Sequence, residues 1–298
     1  MLPIIIGAAA GCFVGQKMGE DLIRAKNYAD AANETYAKTS EMLSTTNASL
    51  HESQDKMIET LRVLGERKKY LMLGSISEMT KLMIKLGKKL KLNHDTQGVK
   101  ELESAGFNAS MFEEIEKSSA RLIELSAPKE TDVADSLLSV TIGAVGVTGL
   151  LGILVAFPLS PLAMLYTSSK ADEAEIEFYK AQQKFDEAKV YFEHCGNQSA
   201  LLRAITLRAK QIDNLLKGLD FYFSRSVNRV QNIILENGCE YRKYNHEDKN
   251  QIFIALQLMQ TVKAIIDTSM FFEDGSFKGN NDSNLETGEK VLKLLNSI

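Results

Sequence analysis

From Leu22 to Leu71 the chain returns a large or apolar side chain every seventh residue: Leu22, Ala29, Tyr36, Leu43, Leu50, Met57, Leu64 and Leu71. Three residues after each of the first six, Ala25, Ala32, Thr39, Thr46, Ser53 and Thr60 supply small side chains. A large/small seam sustained this long predicts one helix from Lys17 to about Tyr70, packed tightly against an antiparallel partner or within a bundle. At helical rise that stretch is on the order of 80 Å long. A second helix-rich segment runs to about Leu125 and ends before Pro128, with Gly74 and Gly87 as weak points. Past Lys170 the style repeats. Ala174, Ala181, Ala188 and Cys195 alternate with Phe178, Phe185 and Phe192, and Leu202, Ile205, Ala209, Ile212, Leu216, Leu219 and Phe223 carry the pattern on. After the turn signal Asn237-Gly238 come a helix around Ile252 to Met270, a polar loop from Asp274 to Asn284 and a short helix from Leu285 to Leu295.

Two uncharged segments punctuate these helices. The first, Met1 to Gln16, places Gly7, Gly11, Gly15 and Gly19 at a spacing of four. On a helix these make a bare stripe that admits another backbone closely, as in membrane helix pairs. Each such glycine costs about 1 kcal/mol of helix stability, which close packing must offset. The segment lacks the basic leading region of a secretory signal peptide. The second runs from Ser136 to Ser169 without a charge, where roughly 20 apolar residues suffice for one membrane span. Gly143, Gly146, Gly149 and Gly152 recur every three residues within it, and Pro158 and Pro161 interrupt it, so it forms one long span or a helical hairpin. The plain alternative for both segments is a helix buried against the protein's own body.

Composition narrows the class. Only 4 of the 298 residues are proline, where roughly 15 would be average, and Ala, Leu, Lys and Glu abound. The chain is therefore expected to be all-α: a long coiled-coil helical bundle with glycine-rich transmembrane segments. Three cysteines at unrelated spacings, Cys12, Cys195 and Cys239, indicate neither a disulfide framework nor a zinc site. The four histidines are scattered, and no Walker loop, dinucleotide fingerprint, HExxH or nucleophile elbow is present. No enzyme and no cofactor are expected.

The net charge of -4 does not attract nucleic acid as a whole, so a phosphate ligand needs a local cluster. Two are present. Lys81, Lys85, Lys88, Lys89 and Lys91 interleave with Leu82, Ile84, Leu86, Leu90 and Leu92 as an amphipathic basic helix, suited to anionic lipid, nucleic-acid phosphate or an acidic partner. Tyr241, Arg242, Lys243 and Tyr244, with Arg225 and Arg229 one helical stretch earlier, set aromatic rings beside cations, which suits stacked bases of a short single strand or nucleotide. Solvated helix faces and an exposed loop are the plain alternatives.

Five regions follow: a membrane or oligomerisation helix over 1–19, a coiled-coil stalk with return helices over 20–127, an apolar span or hairpin over 128–169, a second coiled coil over 170–240, and a C-terminal helical segment, a candidate sensor, over 241–298. This order of parts, from glycine-striped N-terminus through coiled coil and Gly-rich apolar hairpin to second coiled coil, resembles bacterial helical membrane effectors. It is loosely similar to helical pore-forming toxins and to the channel effectors of Hailong-type antiphage systems. The resemblance is architectural and carries no catalytic residue. It implies an oligomeric channel or pore in the bacterial inner membrane, most of it cytoplasmic, serving abortive-infection defence. It also implies partners: membrane lipid, further copies of the chain, and a short single-stranded DNA or nucleotide made by a partner nucleotidyltransferase that holds the channel in check. The lack of a secretion signal favours action on the cell's own membrane. A non-conducting membrane-associated coiled-coil scaffold is the alternative.

Overall fold

The computed structural model describes residues 17–92, 96–104, 109–125, 171–272, 277–279 and 282–297. All their regular elements are helical, apart from one isolated antiparallel bridge between Phe271 and Phe277. Helix α1 spans Lys17–Leu71, α2 Ser77–Leu92, α3 Thr96–Ser104, α4 Ala109–Leu125, α5 Ala171–Asn237, α6 His246–Asp267 and α7 Ser283–Asn296. Both long helices are helical from the first described residue, Lys17 and Ala171. No helix among the described residues is long and apolar enough to cross a membrane. The segments 1–16 and 136–169, with Gly7, Gly11, Gly15, Gly143, Gly146, Gly149 and Gly152, lie outside the described residues; Gly19 lies in the first turns of α1.

The helices divide into two compact units, the first holding residues 17–52 and 171–200, the second 53–125 and 201–297. In the first, α1 and α5 run parallel. Arg24 lies 3.6 Å from Glu175, the Tyr28 ring 5.6 Å from that of Phe178, Lys184 5.8 Å from the Tyr36 ring, and the Tyr191 hydroxyl donates to Asn47 Oδ1 at 2.9 Å. Residue numbers rise together on both helices, so this pair is parallel, and of the two expectations, an antiparallel partner or a bundle, the antiparallel one does not describe it. Periodicity is blind to direction, so the pattern alone does not choose between the two senses.

The seam of this unit is made of its small residues. Ala32, Thr39 and Thr46 on α1, and Ala181, Ala188, Cys195 and Ser199 on α5, are buried. The larger companions stand aside: Tyr36, Leu43 and Leu50 are half-buried, Leu22 exposed. Two helices alone cannot surround a large side chain on all sides, so the backbones approach over Ala and Thr instead, and the large side chains lie along the flanks. Each threonine hydroxyl is satisfied within its own helix, Thr39 by the Thr35 carbonyl at 2.8 Å and Thr46 by the Met42 carbonyl at 2.6 Å. Both threonines of the buried line therefore keep their hydroxyl donors paired.

In the second unit more helices meet and the large residues go inside. Met57, Leu61, Leu64 and Leu71 on α1, Met79, Met83 and Leu86 on α2, Phe112 and Ile115 on α4, and Ala209, Ile212, Leu216, Leu219 and Phe223 on α5 are fully buried. The pairing of α1 with α5 is parallel here too: Arg67 Nε donates to Asp213 at 3.1 Å, and Ser75 reaches Ser224 at 3.0 Å. Between α1 and α2 the helical geometry breaks at Gly74 (φ -92°, ψ -111°) inside a wide turn over Met72–Ile76, the weak point the sequence marks. Helix α6 starts at a capping box: Asn245 accepts from the Asp248 N–H, and the Asp248 carboxylate accepts from the Asn245 N–H. Helix α7 lies close on α5 and α6. A Cβ on Gly288 would come within 2.6 Å of Ile265 Cδ1, and one on Gly218 within 2.8 Å of Leu292 Cδ2.

The small-residue seam gives the first prediction. Ala188→Leu, at a position 3% exposed, overpacks the seam and costs about 1–3 kcal/mol. Hydrogen exchange should show faster exchange across residues 17–52 and 171–200 in that variant. Val190→Leu, at a position 69% exposed, should exchange as the parent does.

Candidate functional site

The basic cluster on α2 is formed as the sequence predicts. Lys81, Lys85, Lys88 and Lys89 are exposed, while Met79, Met83, Leu86 and Leu90 on the other face are buried; the side chain of Lys91 lies outside the described ones. None of the four exposed lysines forms an ion pair among the described residues. The apolar face is largely consumed by the protein's own core, with Leu82 and Ile84 half-buried at its margins. What remains is a row of point charges, which attracts an anionic surface or a phosphate chain without inserting.

The second cluster is not assembled as expected. Arg225 and Arg229 sit one turn apart on the exposed side of α5, with the Arg225 guanidinium 5.2 Å from the exposed Phe221 ring. Arg242 and Lys243 are exposed, and Lys243 pairs with Glu240 at 3.0 Å. Tyr241 and Tyr244, however, are 5% and 4% exposed. Their rings pack 5.5 Å apart at 60°, and the Tyr244 hydroxyl donates to the Gly238 carbonyl at 2.7 Å, in a turn that Gly238 permits with its φ of 67°. Burial pushes the Tyr244 hydroxyl well above its usual pKa. The base-stacking role read from Tyr241 and Tyr244 is thus corrected: the rings fasten the turn between α5 and α6 and leave no open face to a strand of bases. Sequence shows aromatics beside cations but not which way the turn folds them.

One flank of Tyr241 does border a cavity that the sequence reading missed. It holds about 240 Å³ and is lined by Glu101 and Leu102 of α3, by Tyr241, and by His246, Lys249, Asn250, Ile252 and Phe253 of α6. Lys249 bridges its walls, with Nζ 3.0 Å from Glu101 Oε2 and 4.7 Å from the Tyr241 ring. His246, Lys249 and Asn250 stand three and four residues apart, so one helical face was legible; Glu101 comes from 148 positions away in the chain and was not. Among the described residues no group of three or more His, Cys, Asp or Glu is placed to hold a metal ion.

A second feature absent from the sequence reading is Lys68. It is 1% exposed, and its ammonium donates to the Thr268 carbonyl at 3.3 Å, at the C-terminal end of α6. Burial depresses its pKa to about 8, against the opposing pull of Asp267. That carboxylate is itself held at 2.5 Å by Lys263. A helix C-terminus favours a cation, which locates the charge where carbonyls converge. The signal was available in the sequence: Leu61, Leu64, Lys68 and Leu71 follow the three-four spacing of a core stripe.

No family model, curated protein or solved structure matches the chain.

Two predictions follow from these groups. The folded pKa of Lys68 lies below the ordinary 10.5. Below about pH 8 the fold therefore carries a buried cation at a cost, and between pH 8 and 10.5 the folded state has released a proton that the unfolded chain keeps. Stability relative to a Lys68→Met variant should therefore rise with pH over that window. Lys68→Met should exceed the parent by roughly 1–3 kcal/mol at pH 7, with the gap closing toward pH 10, measured by urea unfolding of the detergent-solubilised chain. For the α2 face, replacing Lys81, Lys85, Lys88 and Lys89 together by Gln should leave helicity unchanged. It should also weaken binding of a labelled single-stranded oligonucleotide and flatten its salt dependence, because fewer counterions are released. Fluorescence anisotropy at two salt concentrations checks this.

Proposed function

We propose that the chain is an oligomeric membrane effector, a channel or pore-forming element of the bacterial inner membrane with most of its helices in the cytoplasm. The single observation that supports this most is the parallel pairing of α1 and α5 in the first unit. Each helix follows, in sequence, directly on an uncharged segment, Met1 to Gln16 before α1 and Ser136 to Ser169 before α5. An antiparallel pair would send those two segments to opposite ends. A parallel pair starts both helices at one end, which suits a common membrane base with helices standing on it. Glycines at spacings of four and three in the two segments suit close packing of spans, between segments and between copies.

Control falls to the cytoplasmic helices. A channel in its own cell's membrane is held shut only by a ligand with different affinity for closed and open states. The lysine row of α2 and the cavity beside Tyr241 are the two places where the described residues offer such a ligand charge or enclosure. A short single-stranded DNA or nucleotide from a partner nucleotidyltransferase is the ligand that the likeness to Hailong-type effectors implies, and the role in antiphage defence rests on that likeness.

Carbonate extraction combined with a membrane-potential dye tests the reading. The parent chain should stay in the washed membrane pellet and, when triggered, collapse the potential. Leu151→Arg, which costs roughly 2.5–3.5 kcal/mol at the centre of a span, should shift the chain toward the soluble fraction and abolish the collapse. A pellet-bound chain that never alters the potential identifies the non-conducting scaffold instead. Recovery of the parent wholly in the soluble fraction overturns both.

A further inference from the structure

The first unit leaves four large apolar side chains in the open near the start of its two helices: Leu22 and Ile23 on α1, 64% exposed each, and Ile176 and Tyr179 on α5, 52% and 57% exposed. Arg24 opposite Glu175 and Tyr28 opposite Phe178 set the two pairs at nearly one level. We infer that this collar is a lipid-contacting surface, the level at which the paired helices pass through the headgroup region of a bilayer. The inference rests on the membrane reading above and adds to it a depth and a set of contact residues.

The shape of the patch selects lipid over another helix. A helical partner needs one stripe, built from residues three and four apart. Leu22 and Ile23 are consecutive, so they point about 100° apart around α1, and a single packed helix would leave one of them in water. An interface that surrounds the pair contacts both, together with Ile176 and Tyr179. The aromatic content fits the same level. Tyr28, Phe178 and Tyr179 form a chain of rings 5.6 and 5.8 Å apart, amphipathic bodies of the kind that gather at the border of hydrocarbon and water. Two of the acidic residues nearby are paired where they stand, Glu175 with Arg24 at 3.6 Å and Glu177 with Lys180 at 2.8 Å, while Glu173 is exposed. Arg24 and Lys180 have long stems that carry their charge toward water. Further along, the exposed positions of α1 turn charged at Asp30, Glu34 and Lys38, which sets the upper limit of the collar.

Val190 supplies the internal comparison. It is 69% exposed, more than any residue of the collar, but lies eleven positions beyond Tyr179, on the order of 16 Å along the helix. The chain contains no tryptophan, so Tyr179→Trp, Leu22→Trp and Val190→Trp each report on one place only. All three sites are exposed, and circular dichroism should confirm unchanged helicity. The full chain is reconstituted in phosphatidylcholine–phosphatidylglycerol vesicles with and without headgroup-spin-labelled lipid, floated on a density gradient, and its emission compared. Tyr179→Trp and Leu22→Trp should lose about half their emission or more to the spin label, whereas Val190→Trp should keep nearly all of its own. If the chain floats but the two collar probes are quenched no more than Val190→Trp, the collar inference fails while the membrane reading stands. Blue-shifted but unquenched collar probes in floated chain mean that a second copy covers the patch, and overturn the inference equally. If the chain does not float, the membrane reading falls and takes the collar with it.

Discussion

The close approach of two parallel helices over small side chains is the constraint from which the first unit follows. Ala32, Thr39 and Thr46 on α1 and Ala181, Ala188 and Cys195 on α5 are the buried positions of this pair, so a larger side chain at any of them has to be accommodated by displacement of its neighbours. The polar cross-links then act on a geometry already set: Tyr191 to Asn47, and Arg24 to Glu175. Exposed ion pairs along the same helices, such as Lys38 with Glu34 and Lys189 with Asp186, add little, because water screens them. Direction matters more than strength here, because the parallel sense decides which residues of the two long helices face each other.

The second unit solves a different packing problem with the same heptad pattern. Leucines and methionines that would be stranded in a two-helix pair become fully buried once α2, α4 and α6 close around them. One side effect is the burial of Lys68 on a core position, with its ammonium directed at the carbonyl end of α6. Another is that α2 turns Met79, Met83, Leu86 and Leu90 to the core and leaves Lys81, Lys85, Lys88 and Lys89 exposed, with Glu78 in its first turn. A basic amphipathic sequence and a membrane-inserting helix are thereby separated: the first is present, and the second would require α2 to leave its own core.

The all-helical class and the break at Gly74 were legible in the sequence. Each depends on local physics: heptad spacing and glycine. The exposed lysine row on α2 was legible for the same reason, since helical spacing alone sorts Lys81, Lys85, Lys88 and Lys89 from Met79, Met83 and Leu86.

Tertiary structure decided the rest. Whether α1 and α5 run parallel is invisible to a periodic pattern, which reads the same in both directions, and only the cross-helix contacts, Arg24 with Glu175 and Tyr191 with Asn47 among them, settle it. Which of two heptad positions is buried depends on how many helices surround it, so Ala and Thr win in the first unit and Leu and Met in the second. Tyr241 and Tyr244 sit beside cations in the sequence, yet the turn at Gly238 folds their rings inward and leaves Arg242 and Lys243 in water. Glu101 meets Lys249 across 148 positions because α3 and α6 pack in one unit, a contact that no local spacing encodes.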